Sequence, residues 1–269
     1  MIRHLLPPAP LAALVLALLA LAGPAVAQAP YMEEMTWPEV AARMAQGARV
    51  VLVPTGGTEQ SGPHLALSKH SAIIRAAAGA IATELGNALV APVITVVPEG
   101  NLSPPSDNLR WPGTVGVSED TFARLLGDTA ASLALHGFRV ICFIGDHGGS
   151  QAVQARVAQA LDVAWRPLGL RAVQISAYYD PGDEVEWLAA RGIAAGAQGW
   201  HGGVAETAML MAVAPDLVRP DLLAPATWTA WSQPGAEGDP SLASAELGRE
   251  LLNRKVAAAV RQIREALRP

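Results

Sequence analysis

Cysteine, lysine and clusters of basic residues are scarce in this chain of 269 residues. Cys142 is the single cysteine, which excludes an intramolecular disulfide framework and any zinc cluster built from several cysteines. Only two of the nineteen cationic side chains are lysines, Lys69 and Lys255, and the formal net charge is −5. No basic run occurs, whereas a nucleic-acid-binding protein needs a clustered basic surface. We therefore expect no nucleic-acid partner.

Two catalytic signatures are also missing. The chain has no G-x-S-x-G motif, so the strained serine turn of many serine hydrolases is absent. The glycine-rich stretch His147-Gly148-Gly149 lacks both the glycine spacing and the lysine of a phosphate-binding loop. Hydrophobic residues, by contrast, make up 51% of the chain and the mean hydropathy is +0.27, which excludes disorder as a description of the whole.

The N-terminus has the layout of a secretory signal peptide over residues 1–27. Arg3 and His4 precede an unbroken apolar run at 11–22, and Ala25-Val26-Ala27 matches a cleavage signal. An uncleaved anchor is the alternative, but the run is shorter than the about 20 residues that span a bilayer. The residue directly after the cleavage site is Gln28 and not a cysteine, which excludes a lipoprotein anchor. We expect residues 28–269 to be one exported domain without a stable membrane anchor, periplasmic if the source is Gram-negative.

Short apolar runs alternate with helical segments along the mature chain. Strands are predicted at 49–54, 88–97, 140–144 and 172–177. Helices are predicted at 36–46, 71–85, 118–136, 148–165, 184–191, 206–213 and 241–267. Continuous apolar strands separated by helices indicate a mostly parallel sheet covered on both faces, an α/β fold of the three-layer α/β/α sandwich type. The Pro-rich stretch 220–240 is interpreted as a surface excursion or an oligomer contact.

Four histidines fall in loops that follow predicted strands or at the adjoining helix starts: His64, His70, His147 and His201. A single histidine in such a place is more often structural than functional. The carboxyl ends of parallel strands meet at one edge of a sheet, however, and ligands bind there. Together with Glu59 and Glu206, the four histidines therefore predict a shared polar site that could hold a metal ion.

Several stretches of the chain resemble the creatininase (creatinine amidohydrolase) family. They are GGTEQSGPHLALSKH (56–70), WPGTVGV (111–117), HGFRVICFIGDHGGS (136–150) and WHGGVAETAML (200–210). The resemblance implies a metal-dependent hydrolase of non-peptide C–N bonds, built as an α/β/α sandwich and assembled as a homo-oligomer, often a hexamer. Members of the family act on cyclic amides, formamides and small peptides, so the resemblance implies a small-molecule substrate without naming it.

The first loop of the family reads E-x-H, with an aspartate eleven residues after the glutamate that bridges two metal ions. This chain keeps the glutamate as Glu59, but Ser61 stands in place of the histidine and His70 in place of the bridging aspartate. Asn108 stands where a histidine commonly precedes F-P-G-T. An imidazole has one lone pair for a metal and cannot bridge two ions, so these departures imply the loss of the second metal position.

The later motifs of the family are better preserved. His147 matches the histidine that opens H-G-G, and Asp146 replaces the glycine before it. His201 matches a histidine associated with catalysis, and Glu206 matches the glutamate that follows it. Trp200 stands beside His201, where a tryptophan either lines a pocket or packs.

The resemblance and its departures lead to one predicted mechanism. Glu59, His70 and His147 would hold one divalent ion, with zinc preferred and manganese as the alternative, and leave a position open for water. His201 or Glu206 would carry the proton to the leaving nitrogen. We expect five further residues to support the metal ligands or to bind the substrate: Asp146, His64, Asn108, Trp200 and Ser61.

Three other functions stay open at this point. The altered site could bind a ligand without metal or turnover, or the protein could be a peptidase-like member that acts on a short modified peptide. A periplasmic solute-binding protein is disfavoured, because such proteins close two lobes around a ligand and this chain has no hinge crossover.

Overall fold

The computed structural model describes residues 29–180, 182–225 and 235–268. The predicted signal peptide lies outside these residues, as does part of the 220–240 stretch. None of the helices in the described ranges combines the length and the apolar character needed to cross a membrane.

Four parallel strands form the central sheet in the order β2-β1-β3-β4. They are β1 (Val50–Thr55), β2 (Ala88–Val90), β3 (Val140–Gly145) and β4 (Arg171–Gln174). The register pairs Leu52 of β1 with Val90 of β2 on one side and with Cys142 of β3 on the other. The chain therefore moves outward from β1 in one direction and from β3 in the other. This reversal creates a crevice beyond the carboxyl ends of the two central strands, where ligands bind in such sheets.

Helices cover both faces of the sheet. They are α1 (Trp37–Ala45), α2 (Lys69–Leu85), α3 (Glu119–Leu135), α4 (Gln151–Trp165), α5 (Ser176–Tyr179), α6 (Glu184–Ala189), α7 (Ala195–Gln198), α8 (Val204–Val213) and α9 (Ala245–Ala266). The long helix α9 begins after Ser244, whose side chain accepts a hydrogen bond from the backbone N–H of Leu247. Ser244 thereby satisfies one of the backbone donors that a helix start leaves unpaired.

Strand residues alternate between two hydrophobic cores. Val50 and Leu52 point into a core shared with α2 and α9, whereas Val51 and Val53 point into a core shared with α1, α3 and α4. This period of two is what a strand buried on both faces produces. The predicted three-layer α/β/α sandwich is thereby confirmed. Cys142 lies in the first core with no exposed surface, and burial raises the pKa of its thiol to about 12.

The structure differs from the predicted strands at two places that matter for the site. The strand predicted at 88–97 ends at Val90, because Pro92 has no N–H to donate to a ladder. The chain nevertheless stays beside β1, since the N–H of Ile94 donates to the carbonyl of Pro54 at 2.9 Å. The strand predicted at 172–177 ends at Gln174, and the α5 turn that follows buries Tyr178 beneath the carboxyl end of β3.

Candidate metal centre

Loops from four parts of the chain converge at the carboxyl ends of β1 and β3. They are the loop after β1, the loop at 98–116, the turn after β3 and the segment before α8. The loop after β1 folds back on itself, and the N–H of Glu59 donates to the carbonyl of Leu67 at 3.1 Å. The sequence predicted a polar site at this edge of the sheet. The structure brings Glu59, His147 and His201 together there.

Glu59 lies at the middle of the site with 1% of its surface exposed, and its two oxygens face different neighbours. The Oε2 atom lies 3.2 Å from His147 Nε2, which is also 3.1 Å from Glu99 Oε2. The amide of Asn108 donates to both carboxylates, at 2.9 Å to Glu99 Oε2 and more closely to Glu59 Oε2. Ligand atoms from Glu59, Glu99 and His147 lie within 4.8 Å of one another. We call these three residues the triad.

Two glycines make room for the triad. A Cβ at position 149 would lie 2.8 Å from the Cε1 atom of His147, and a Cβ at position 57 would lie 3.0 Å from the Oε1 atom of Glu99. Any side chain at position 149 would displace the imidazole, so Gly149 is required by the close approach of the histidine. This accounts physically for the second glycine of the His-Gly-Gly stretch.

Three buried atoms of this group have no hydrogen-bond partner within the described residues. They are Glu99 Oε1, Asn108 Oδ1 and His147 Nδ1. Buried polar atoms are almost always paired, and an unpaired one points to a missing water, ion or ligand. The centre thus contains three buried polar atoms to which the described side chains make no hydrogen bond.

The second oxygen of Glu59 faces a different set of groups. His70 Nε2 lies 2.7 Å from Glu59 Oε1, and Lys69 Nζ lies 3.3 Å from the same oxygen. Lys69 also donates to Glu206 Oε2 at 2.5 Å. The other nitrogen of the His70 ring lies 2.7 Å from Asp146 Oδ2, which fixes the plane of the imidazole. We call Lys69, His70 and Glu206 the lysine side of the site.

The ionisable groups of the triad change one another's pKa values. Burial would raise the pKa of Glu59, but Lys69 and His70 outweigh it and hold that pKa well below its ordinary value. Burial also raises the pKa of Glu99, and this effect prevails there. Burial would lower the pKa of His147, but its hydrogen bonds to the two carboxylates raise it to about 10. In the absence of a cation, the imidazole therefore takes up a proton to balance the carboxylates.

His201 and Glu206 border the same centre, with different protonation behaviour. Nδ1 of His201 lies 3.9 Å from Glu59 Oε1, and its Nε2 lies 2.8 Å from the carbonyl oxygen of Gln60. Burial, together with Lys69, lowers the pKa of His201, so the imidazole is neutral at neutral pH. Burial would raise the pKa of Glu206, but Lys69 and His70 outweigh it and lower that pKa. Glu206 is therefore a carboxylate, and it accepts the N–H of Gly202 at 2.6 Å.

Three other residues predicted to belong to the site, His64, Ser61 and Asp146, do not contact the triad in the same way. His64 does not enter the centre, because its Nε2 faces the carbonyl of Gly202 at 2.9 Å and Thr207 Oγ1 at 3.1 Å. Ser61 is fully buried, and its hydroxyl has no partner within the described ranges. Asp146 supports His70 and accepts the hydroxyl of Tyr178 at 2.8 Å.

Sequence reasoning missed Glu99, Lys69 and Tyr178. Glu99 lies in the loop after the strand predicted at 88–97, at the edge of the sheet where the site was expected. Its position in that loop could therefore have identified it as a candidate ligand. Lys69 is one of only two lysines and precedes His70 directly. Nothing in the local sequence pointed to Tyr178, because its place depends on the unpredicted α5 turn.

Two members of the triad, Glu59 and His147, line a cavity of about 170 Å³, together with His70. A neighbouring cavity of about 400 Å³ shares Asp146, Tyr179, Trp200 and Glu206 with it. Trp200 stands on the rim of both cavities with 76% of its surface exposed. The two together have the size of a site for a small molecule or a few residues of a peptide.

Comparison with known proteins identifies the family. The family model Creatininase, described as creatinine amidohydrolase, matches residues 33–263. The chain belongs to the creatininase family. This confirms the resemblance seen in the sequence motifs.

Relatives of this creatininase-family protein include two kinds of hydrolase. The creatinine amidohydrolase of Pseudomonas putida is 27% identical over 263 residues, which cover 89% of this chain and 98% of the relative. A mycofactocin precursor peptide peptidase of Mycolicibacterium smegmatis is 29% identical over 184 residues, covering 65% of this chain and 62% of the relative.

Solved structures agree with the fold. A structure described as "Creatininase Mn" superposes with a TM-score of 0.74 at 25% identity, covering 90% of this chain and 100% of the other. A mutant creatininase described as "Zn-Zn type" superposes with a TM-score of 0.72 at 26% identity and the same coverage.

Proposed function

We propose that this protein is a metal-dependent hydrolase that cleaves a non-peptide C–N bond, an amide or cyclic amide, in a small polar substrate. The observation that carries the proposal is the triad of Glu59, Glu99 and His147. Its ligand atoms lie within 4.8 Å of one another in a buried site beside unpaired polar atoms. Such a site with a surplus of carboxylates favours a divalent cation.

The donor set fits a catalytic ion. Two carboxylates and one imidazole suit zinc or manganese, and three protein ligands leave a position open. A divalent ion held there would supply a Lewis acid that polarises an amide carbonyl and lowers the pKa of a bound water. This assignment replaces His70 with Glu99 in the ligand set expected from the sequence, because His70 faces the opposite oxygen of Glu59.

The residues around the triad have separate tasks in this proposal. Asn108 holds the two carboxylates at a fixed spacing through its amide. His201 is neutral and borders the cavity, so it can accept a proton and deliver it to the leaving nitrogen. Glu206 is a poor base for that step, because its carboxylate already pairs with Lys69 and the N–H of Gly202. We assign proton transfer to His201.

A short modified peptide is the second candidate substrate. It is favoured by the similarity to the mycobacterial peptide peptidases and by the second cavity beside the centre, whose exposed Trp200 could stack on a peptide. A solved relative is described as creatininase complexed with creatine, which favours the smaller substrate. In either case we expect a homo-oligomer, and light scattering on the purified protein measures its mass.

The test joins metal analysis to a hydrolysis screen. The purified chain is loaded with Zn²⁺ or Mn²⁺, passed through gel filtration and analysed for retained metal. The loaded protein is then screened against cyclic amides, formamides and short peptides. We expect retained metal, with hydrolysis that chelation abolishes and metal restores.

His201→Ala supplies the matched variant. It should retain the metal and lose turnover, because His201 is assigned to proton transfer and not to the ligand set. Hydrolysis that persists undiminished after chelation would contradict the metal-dependent mechanism. A metal-loaded wild type that cleaves nothing in the screen would instead favour the ligand-binding alternative.

A further inference from the structure

Two neighbouring tyrosines at the end of α5 have opposite surroundings. Tyr178 is fully buried, and its hydroxyl donates to Asp146 Oδ1 at 2.8 Å. Tyr179 has 40% of its surface exposed, and its hydroxyl makes no hydrogen bond to the residues that the structure describes. The backbone of Tyr179 is held, because Lys255 Nζ donates to its carbonyl at 3.0 Å. The α5 turn is thus fixed on its buried side, while the phenol of Tyr179 has an unused donor.

The hydroxyl of Tyr179 lies beside the residue that follows a triad member. A Cβ added at position 148 would be 2.6 Å from the Tyr179 Oη atom, and residue 148 comes directly after His147. Tyr179 lines the cavity of about 170 Å³ together with Glu59, His147 and His201. It also lines the neighbouring cavity of about 400 Å³. Tyr179 therefore stands where the two cavities meet, close to the proposed ion and to the proposed proton carrier.

The hydroxyl of Tyr179 keeps its proton at neutral pH. Burial, together with the carboxylates of Glu206 and Asp146, raises the pKa of Tyr179 to about 12. A protonated phenol can donate a hydrogen bond, and it does not compete with the neutral His201 for a proton. A fixed donor of this kind is suited to an oxygen that gains negative charge during a reaction.

We infer that Tyr179 is a further catalytic residue, whose hydroxyl donates a hydrogen bond to the carbonyl oxygen of the scissile amide. The inference rests on the proposed function, since it presumes hydrolysis at the triad. When the oxygen of water adds to the carbonyl carbon, the π electron pair of the carbonyl moves onto its oxygen. The hydrogen bond from Tyr179 strengthens as this charge grows. The phenol proton stays on Oη, and His201 transfers the proton to the leaving nitrogen.

Gly148 leaves the space that this hydroxyl occupies. Its φ lies outside the left-handed region, so the backbone there accepts alanine. The added Cβ would meet Tyr179 Oη at 2.6 Å but Cζ only at 3.5 Å, which is an ordinary contact. Alanine at position 148 would therefore displace the hydroxyl of tyrosine, whereas it would fit beside phenylalanine.

The experiment measures the binding of acetohydroxamate, a small probe whose two oxygens bind divalent ions. Full-length protein is loaded with Mn²⁺, analysed for retained metal and titrated with the probe by calorimetry. We expect Tyr179→Phe to retain the ion and to bind the probe about 10- to 100-fold more weakly, the range for one hydrogen bond to a charged oxygen. Tyr31→Phe is the matched control, because the Tyr31 hydroxyl donates to the carbonyl of Arg75 at 3.1 Å and Tyr31 lines neither cavity. It should bind the probe as the wild type does.

A double-mutant cycle with Gly148→Ala tests the position of the hydroxyl. In the wild-type background, Gly148→Ala should weaken probe binding by a factor similar to that of Tyr179→Phe, because its methyl group displaces the hydroxyl. In the Tyr179→Phe background, the same alanine should cost no more than about twofold, since the atom it displaces is no longer there.

The possible results separate the inference from the proposed function. Unchanged probe binding by Tyr179→Phe that retains Mn²⁺ overturns the inference, while the proposed function stands. Loss of Mn²⁺ from Tyr179→Phe also overturns it, because the tyrosine would then support the ion and not the substrate. Equal losses from alanine in both backgrounds contradict the placement of the hydroxyl beside position 148. A wild type that retains no Mn²⁺ contradicts the proposed function, and one that retains Mn²⁺ without binding the probe contradicts an open position at the triad; the inference falls in both cases.

Discussion

Replacing Glu99 by glutamine tests which residues hold the ion. The substitution keeps the volume of a residue that is 2% exposed and removes only its charge. Without metal, Glu99 is a buried carboxylate whose Oε1 has no partner within the described residues, and burial raises its pKa. Loss of the pairing with His147 at 3.1 Å opposes the gain from removing this buried charge, so we expect Glu99→Gln to change the stability of the metal-free protein by no more than about 1 kcal/mol in either direction.

With metal, the effect should be a clear loss of stability. Loss of a group that only supports a ligand typically weakens binding by about 10- to 100-fold, so loss of one of three ligands should cost at least about 100-fold. An ion at a concentration of about 1,000 times its Kd stabilises the folded state by about 4.1 kcal/mol. If the Kd rises about 100-fold, the same concentration contributes only about 1.4 kcal/mol. The variant should lose about two thirds of the stabilisation by metal.

Denaturant unfolding with and without Mn²⁺ measures both quantities in one assay, and titration calorimetry gives the Kd directly. His70→Asn is the informative comparison, because the sequence alone predicted His70 as a ligand. If the triad holds the ion, Glu99→Gln weakens binding more than His70→Asn does. The reverse order would refute the triad and restore the set of Glu59, His70 and His147.

Three further predictions follow from other parts of the chain. Burial would raise the pKa of Asp162, but its hydrogen bonds to Arg171 at 2.7 Å and to a second arginine lower it. The stability this carboxylate contributes is therefore present above the unfolded pKa of about 3.9 and lost as pH falls through the lower folded value. Asp162→Asn should cost about 1 kcal/mol at neutral pH in urea unfolding, and a cost that persists at the acid end would contradict the linkage. Cys142 should resist thiol reagents in the native protein, because it is buried and burial raises the pKa of its thiol to about 12. Cys142→Ser should keep activity. Rapid labelling that inactivates the native protein would contradict a purely structural role for this thiol. We predict that the chain is exported and cleaved after Ala27, which N-terminal sequencing of the mature protein can test; a mature chain that still starts at Met1 would contradict this.

The fold was largely predictable because it depends on local patterns. The β1 and β3 strands are continuous apolar runs, and such runs predict buried strands wherever they occur. The helix predicted at 36–46 occurs at 37–45, where Thr36 and Glu39 form a capping box, a pattern that depends only on neighbouring residues. The prediction was wrong where a proline or a tertiary contact ended a strand early, as at Val90 and Gln174.

The site was predictable in location and only partly in composition. Motifs and strand ends placed Glu59, His147 and His201 at one edge of the sheet, because the carboxyl ends of parallel strands always meet there. Which atoms face one another depends on the paths of loops that are far apart in sequence. Glu99 meets His147 across 48 residues, and Lys69 meets Glu206 across 137. The sequence by itself determined the layers of the fold and the edge that bears the chemistry. Only the tertiary structure decided which oxygen of Glu59 faces the triad and which faces the lysine, because a carboxylate is oriented by the groups packed around it and not by its neighbours in the chain.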